Sequence, residues 1–237
     1  EREYDTIPST YNVNLYNGLH EHPVCGKTGC TETGHDDVTF KPWTSATSLP
    51  TTSGNWYLTQ DVTLASTWTP ADGVVLCLNG KSITVTADKD AIKVNSGTFT
   101  LTDCDGSKGS KTFKKDSTSG LWGPDSSGTI TVSGGVITHA KGKGGGVVVS
   151  TGAAFTMYGG TICGNSNLNG GGVYSMGTFD LYGGKIAGNN AGNGTGGGVE
   201  VSDGAFTMEG GGITGNRAKL YGGGVNVGND DTYTSTS

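Results

Sequence analysis

The sequence predicts an all-β fold: a single-stranded parallel β-helix, a solenoid of about 26 residues per coil, preceded by an irregular N-terminal cap. Three observations carry this. Gly-Gly-Gly-Val begins at Gly144, Gly170, Gly196 and Gly222, a repeat of constant spacing. Between these marks, short segments alternate apolar and polar residues with a period of two, as strands with one buried face do, and none is long enough for a helix. Glycine supplies 44 of 237 residues, with five in residues 1–70 and twenty-nine in residues 141–230. Such an excess without a three-residue period or abundant proline excludes collagen, and the recurring valine, isoleucine and phenylalanine argue against a disordered linker.

Residues 1–53 carry Pro8, Pro23, Pro42 and Pro50 in irregular, polar sequence. They read as a cap, because an uncovered solenoid end offers open strands to another chain. Trp43, Trp56 and Trp68 are the large rings from which such a segment would build a core. The β-helix is predicted over residues 54–237. Val75, Cys77, Ile83 and Val85 mark an early coil; Ile92, Val94, Phe99 and Leu101 mark the next. Residues 105–120 break the pattern and should leave the column as a loop, after which Ile130, Val132 and Ile137 imitate the Phe-x-Met…Ile block.

The regular coils follow. Val147, Val173, Val199 and Val225 form one expected inward column; Phe155, Phe179 and Phe206 form a second; Ile162, Ile186 and Ile213 form a third. The pieces vary in length while the whole repeat does not, so coils of fixed circumference stack, with equivalent residues roughly 4.8 Å apart. Asn165, Asn189 and Asn216 recur at one corner, where an asparagine can bond the turn backbone and its counterpart in the next coil. Val225 and Val227 open another coil, so the array is expected to continue into further repeats.

Fifteen basic against twenty-one acidic residues give a formal charge of −6. This argues against nucleic acid and anionic membrane as partners, since both require a concentrated positive surface. No apolar stretch approaches the length of a membrane-spanning helix, so membrane insertion is not expected.

Residues 20–35 concentrate His20, His22, Cys25, Cys30 and His35. Cys25, Cys30 and His35, completed by His20 or His22, could supply a tetrahedral structural zinc site in a cap short of core. A Cys25–Cys30 disulfide is the alternative. No cofactor is otherwise required. Cys77 and Cys104 stand almost one coil apart and read either as a disulfide between stacked neighbours or as buried thiols.

For binding, Tyr158 and Tyr182 share one outward offset in consecutive coils, and Tyr174 faces out from the neighbouring strand. The interrupting loop adds Lys111, Lys114 and Lys115, followed by Trp122. Aromatic rings with hydroxyls suit sugars or a protein partner, and loops on a rigid scaffold commonly carry recognition. The outward acids Asp180, Glu200, Asp203 and Glu209 read as solvating charges rather than the paired carboxylates of glycoside hydrolysis, and no residue is assigned as catalytic.

The pattern Gly-Gly-Gly-Val … Phe-Thr-Met-x-Gly-Gly-x-Ile-x-Gly-Asn, spanning roughly residues 73–228, resembles the glycine-rich right-handed β-helix repeats of large secreted or wall-attached bacterial surface proteins, similar in broad fold to pectate-lyase-like proteins. The resemblance implies an extracellular setting and roles in adhesion or glycan binding, with a host protein or glycan as partner. Polysaccharide hydrolysis or lysis by an enzyme of this fold class is the alternative it leaves open.

Overall fold

The structure, a computed structural model, describes residues 20–26, 30, 36–104, 106–115, 117, 122, 128–140 and 144–228. Among these it is all-β, a right-handed parallel β-solenoid. From Val74 onward, each coil contributes one short strand to each of three long sheets.

The first sheet runs through His20–Pro23, Asp37–Trp43, Gly54–Leu58, Val74–Cys77, Thr98–Thr102, Ala154–Met157, Thr178–Leu181 and Ala205–Met208. The second holds Val62–Leu64, Ser82–Val85, Val136–His139, Thr161–Cys163, Lys185–Ala187 and Gly212–Thr214. The third holds Ile92–Val94, Val147–Val149, Val173–Ser175, Val199–Val201 and Val225–Val227. Every pairing in these sheets is parallel except the first, between His20–Pro23 and Asp37–Trp43.

The columns read from the repeat are the observed register. Val147 pairs with Val173, Val173 with Val199 and Val199 with Val225. Phe99, Phe155, Phe179 and Phe206 stack face to face at centroid separations of 5.5, 5.1 and 5.2 Å, close to the spacing of adjacent strands. Trp68 closes this stack edge-on, 5.3 Å from Phe99. Ile83, Ile137, Ile162, Ile186 and Ile213 run along the second sheet. Together they form one continuous core, which coils share because none can bury its inner face alone.

The glycine run has a steric cause. Gly170, Gly196 and Gly222 hold φ of 59°, 64° and 61° and fold the chain over the outer side of the third sheet. A Cβ there would lie 2.6 Å from Tyr174, Glu200 or Asn226 side-chain carbons. Gly172 and Gly198 face the other way, where a Cβ would press on Ile186 and Ile213. Glu200, expected to face outward, is therefore covered and buried.

Asn165, Asn189 and Asn216 form a one-way ladder. The Asn189 amide oxygen accepts from both the backbone N–H and the side-chain amide of Asn165, at 3.0 Å each. Asn216 accepts the same pair from Asn189, at 2.9 and 3.0 Å. Each side chain also donates to the carbonyl of the isoleucine one coil back: Ile137, Ile162 and Ile186.

Two features extend beyond the sequence reading. Asp37–Trp43, within the expected cap, already pairs in parallel with Gly54–Leu58, so the sheet begins before residue 54. The excursion is also longer than residues 105–120: Ser110–Lys115 and Gly128–Ser133 form an antiparallel hairpin, while Thr98–Thr102 pairs directly with Ala154–Met157. Ile130 and Val132 thus belong to the hairpin. Their alternation matches an inward strand because a hairpin packed on the column also has one apolar face.

The ladder predicts a graded cost. Asn189→Ala leaves two Asn165 donors and the Ile162 carbonyl unsatisfied and should destabilise the chain by about 3 kcal/mol or more. Asn190→Ala, which removes one contact to the Ser166 hydroxyl, should cost under about 1 kcal/mol. Equilibrium urea unfolding followed by far-ultraviolet circular dichroism measures both.

Candidate metal centre and recognition surfaces

The alternation of a β-strand puts residues i and i+2 on one face, so His20 and His22 project together from the first strand. Their rings are fixed by stacking: His20 lies on Tyr57, with centroids 4.1 Å apart and planes 5° apart, and His22 on Phe40, at 4.1 Å and 17°. Tyr57 is two strands along the sheet from His20, so the N-terminal hairpin bends back over the sheet. Gly26, in the turn that follows, sits where a Cβ would meet the Thr102 hydroxyl and the Asp103 carbonyl.

Cys77 ends its strand on the face opposite the core residue Leu76, and Cys104 follows the strand one coil later. The result is a cluster of His20, His22, Cys77 and Cys104 whose ligand atoms all lie within 4.8 Å of one another. The Nε2 atoms of both histidines are buried without a hydrogen-bond partner. His22 donates its Nδ1 proton to the Pro23 carbonyl at 2.6 Å, which leaves Nε2 as a lone pair. The Cys104 N–H donates to the Cys77 sulfur at 3.3 Å.

Burial pushes the Cys77 thiol up. Cys104 is pushed down to about 3, foremost by a hydrogen bond from Cys77, with burial opposing and the two imidazoles adding. Two cysteine sulfurs, which bind zinc as thiolates, and two imidazole nitrogens make up the N2S2 set of closed zinc sites. These four residues could hold a structural metal such as zinc.

The candidate cluster shares His20 and His22 with the set expected from sequence, which was Cys25, Cys30 and His35 completed by one of these two, but joins both histidines to Cys77 and Cys104. His35 lies outside the described residues. No disulfide joins Cys25 to Cys30 or Cys77 to Cys104. The signals for the observed set were the His-x-His spacing and the one-coil separation of the two cysteines; the fold-back that brings them together has no local signature.

The residues proposed for recognition fall into two groups. Lys111 and Trp122 lie in the seam between the outer hairpin and the column. Lys111 Nζ donates to the Ser82 and Thr84 hydroxyls at 2.7 and 3.3 Å. Trp122 stacks on Phe113 at 5.8 Å, donates its backbone N–H to the Gly188 carbonyl at 3.1 Å, and lays its ring on Gly188. Lys114 and Lys115 stay exposed. Beside this seam, Trp122, Val132, Thr161 and Lys185 help line an open cleft of about 520 Å³.

Tyr158 and Tyr182 stack at 5.1 Å and 16°, and Tyr182 is exposed. The Tyr182 phenol is pushed up, chiefly by Asp180 and further by Glu209. Tyr174 is half-buried beneath the glycine corner.

No family model, curated protein or solved structure matches the chain.

Gly188 tests the seam. At its φ of 64° a side chain is strained, and a Cβ would collide with the Trp122 ring. Gly188→Ala should release the hairpin and speed tryptic cleavage after Lys111, Lys114 and Lys115 about tenfold. Gly192→Ala, in an exposed corner, should leave the rate unchanged.

Proposed function

We propose that the chain is a non-catalytic, extracellular β-helical module of a bacterial surface protein, a stiff column that holds a binding surface for a glycan or host protein. The carrying observation is the stacked Tyr158–Tyr182 pair beside Asp180 and Glu209. Two rings in register on consecutive coils offer a flat apolar strip edged by hydroxyls and carboxylates. A pyranose meets such a strip with its C–H face and hydrogen-bonds the edges. The rigid column fixes the strip without ordering entropy at the moment of binding. Lys114 and Lys115 on the outer hairpin, and the cleft beside Trp122, add a second polar surface on the same scaffold.

Further repeats of the same polypeptide are the other proposed partner. Among the described residues, the last coil leaves one edge of each of the three sheets without a further strand, with Met208, Leu220, Tyr221 and Val227 at 45–72% exposure. A next coil in the same register would bury them.

Glycan arrays and a panel of extracellular host proteins test the reading. Tyr158→Ala/Tyr182→Ala should weaken retention of the bound partner at least about tenfold, the loss of roughly one stacking contact, with unchanged melting temperature. Incubation with the bound polysaccharide should release no new reducing ends or unsaturated uronates. Their appearance would favour an enzyme of the β-helix class instead.

A further inference from the structure

Independently of what the aromatic strip binds, we infer that His20, His22, Cys77 and Cys104 bind one zinc ion, and that this ion is the clasp fastening the N-terminal hairpin across the first coils and the base of the outer hairpin. The four ligands come from three places far apart in sequence: the first strand, the end of a coil strand, and the corner after the next one. Zinc with two sulfurs at about 2.3 Å and two nitrogens at about 2.0–2.1 Å needs its donors roughly 3.3–3.8 Å apart in a tetrahedron. The donors already lie within 4.8 Å of one another, so small side-chain adjustments close the site.

The geometry is otherwise unexplained. His22 is 6% exposed, and its Nε2 has no partner. A buried, unpaired ring nitrogen is costly, and the His20 Nε2 beside it repeats the cost. Stacking on Tyr57 and Phe40 holds both rings aimed at the two sulfurs, and the Pro23 carbonyl selects the tautomer that a metal ligand requires. The Cys104 N–H donates to the Cys77 sulfur, the kind of amide-to-sulfur bond that orients a cysteine for a metal. Two imidazoles and two thiols disfavour calcium and magnesium, which take oxygen ligands.

The clasp reaches further than the cap. Beside Cys104, the Asp103 carboxylate accepts from Gly80 N–H at 2.8 Å and Gly135 N–H at 2.6 Å, and so ties both ends of the outer excursion to the column. Metal at Cys104 therefore anchors the N-terminal hairpin and the corner from which the outer hairpin departs.

The test uses the full chain purified under reduction and loaded with zinc, then desalted. Mass spectrometric metal analysis should give one zinc per chain. Cobalt in its place should show visible bands of a tetrahedral ion with a thiolate charge-transfer band. Zinc affinity should fall at least about a hundredfold in His22→Ala and in Cys104→Ser, and stay unchanged in the Cys25→Ser/Cys30→Ser double variant. Chelation should lower the melting temperature by about 10 °C and speed proteolysis both before residue 54 and within residues 110–133.

Zinc lost from Cys25→Ser/Cys30→Ser but kept by Cys104→Ser would overturn the ligand set. A wild-type chain that takes up no zinc, or a Cys77–Cys104 disulfide in the unreduced protein, would overturn the site. If a ligand variant fails to fold, X-ray absorption on the zinc-loaded wild type still decides, since two sulfur and two nitrogen neighbours are expected and any other first shell refutes them.

Discussion

The structure rests on one constraint: the backbone of a coil finds its hydrogen-bond partners only in the coils above and below. A strand of three or four residues cannot satisfy its own N–H and C=O groups, and buried unpaired groups are too costly to keep. Each strand must therefore lie one spacing from its equivalent, in register. A strand out of register with its neighbours would break its sheet, while corners absorb differences in length: Leu76 pairs both with Trp56, 20 residues before it, and with Leu101, 25 residues after it. That is why lengths traded between corners leave the spacing from Gly144 to Gly170, Gly196 and Gly222 constant, and why the long insertion leaves the column altogether and pairs with itself.

Corner chemistry follows from the same constraint. With the circumference fixed, the chain must turn in very little space, and the third-sheet corner lies directly on side chains that would otherwise face water. Glycine at Gly170, Gly196 and Gly222 is the only residue that both adopts the required φ and leaves room for Tyr174, Glu200 and Asn226. The asparagine ladder meets the same need at another corner, with each of Asn189 and Asn216 satisfying both an N–H and a carbonyl of the coil before it. Both are periodic because the stacking is periodic.

Periodicity also decided what could be read from the sequence. The valine, phenylalanine and isoleucine columns were legible because one repeat implies the next, and the observed pairing of Phe155 with Phe179 and Ile162 with Ile186 is that repeat made physical. Ile130 and Val132 misled because a period of two identifies a strand with one apolar face but not the surface it packs on. The cluster of His20, His22, Cys77 and Cys104 was half legible. The histidine pair and the one-coil cysteine spacing each stood out, but their meeting depends on a hairpin that folds back over the sheet, and nothing repeats to announce that. Lys111 and Trp122 were conspicuous as an exposed-looking loop, yet their chemistry serves docking: a lysine that reaches two hydroxyls and an indole on a glycine.

The N-terminal hairpin and the outer hairpin are places where the chain departs from its own repeat, the Tyr158–Tyr182 strip is that repeat on the outer face, and each uses the column as a rigid base. All of them depend on the column being one cooperatively stacked unit. Residue-resolved amide hydrogen exchange measures this most directly. Strong and similar protection is expected for Phe155, Phe179, Ile186 and Val199 in all three sheets, fading toward Val225 at the open edge, with faster exchange in Ser110–Lys115 and Gly128–Ser133. Exchange at Phe179, Ile186 and Val199 as fast as in that hairpin would contradict it.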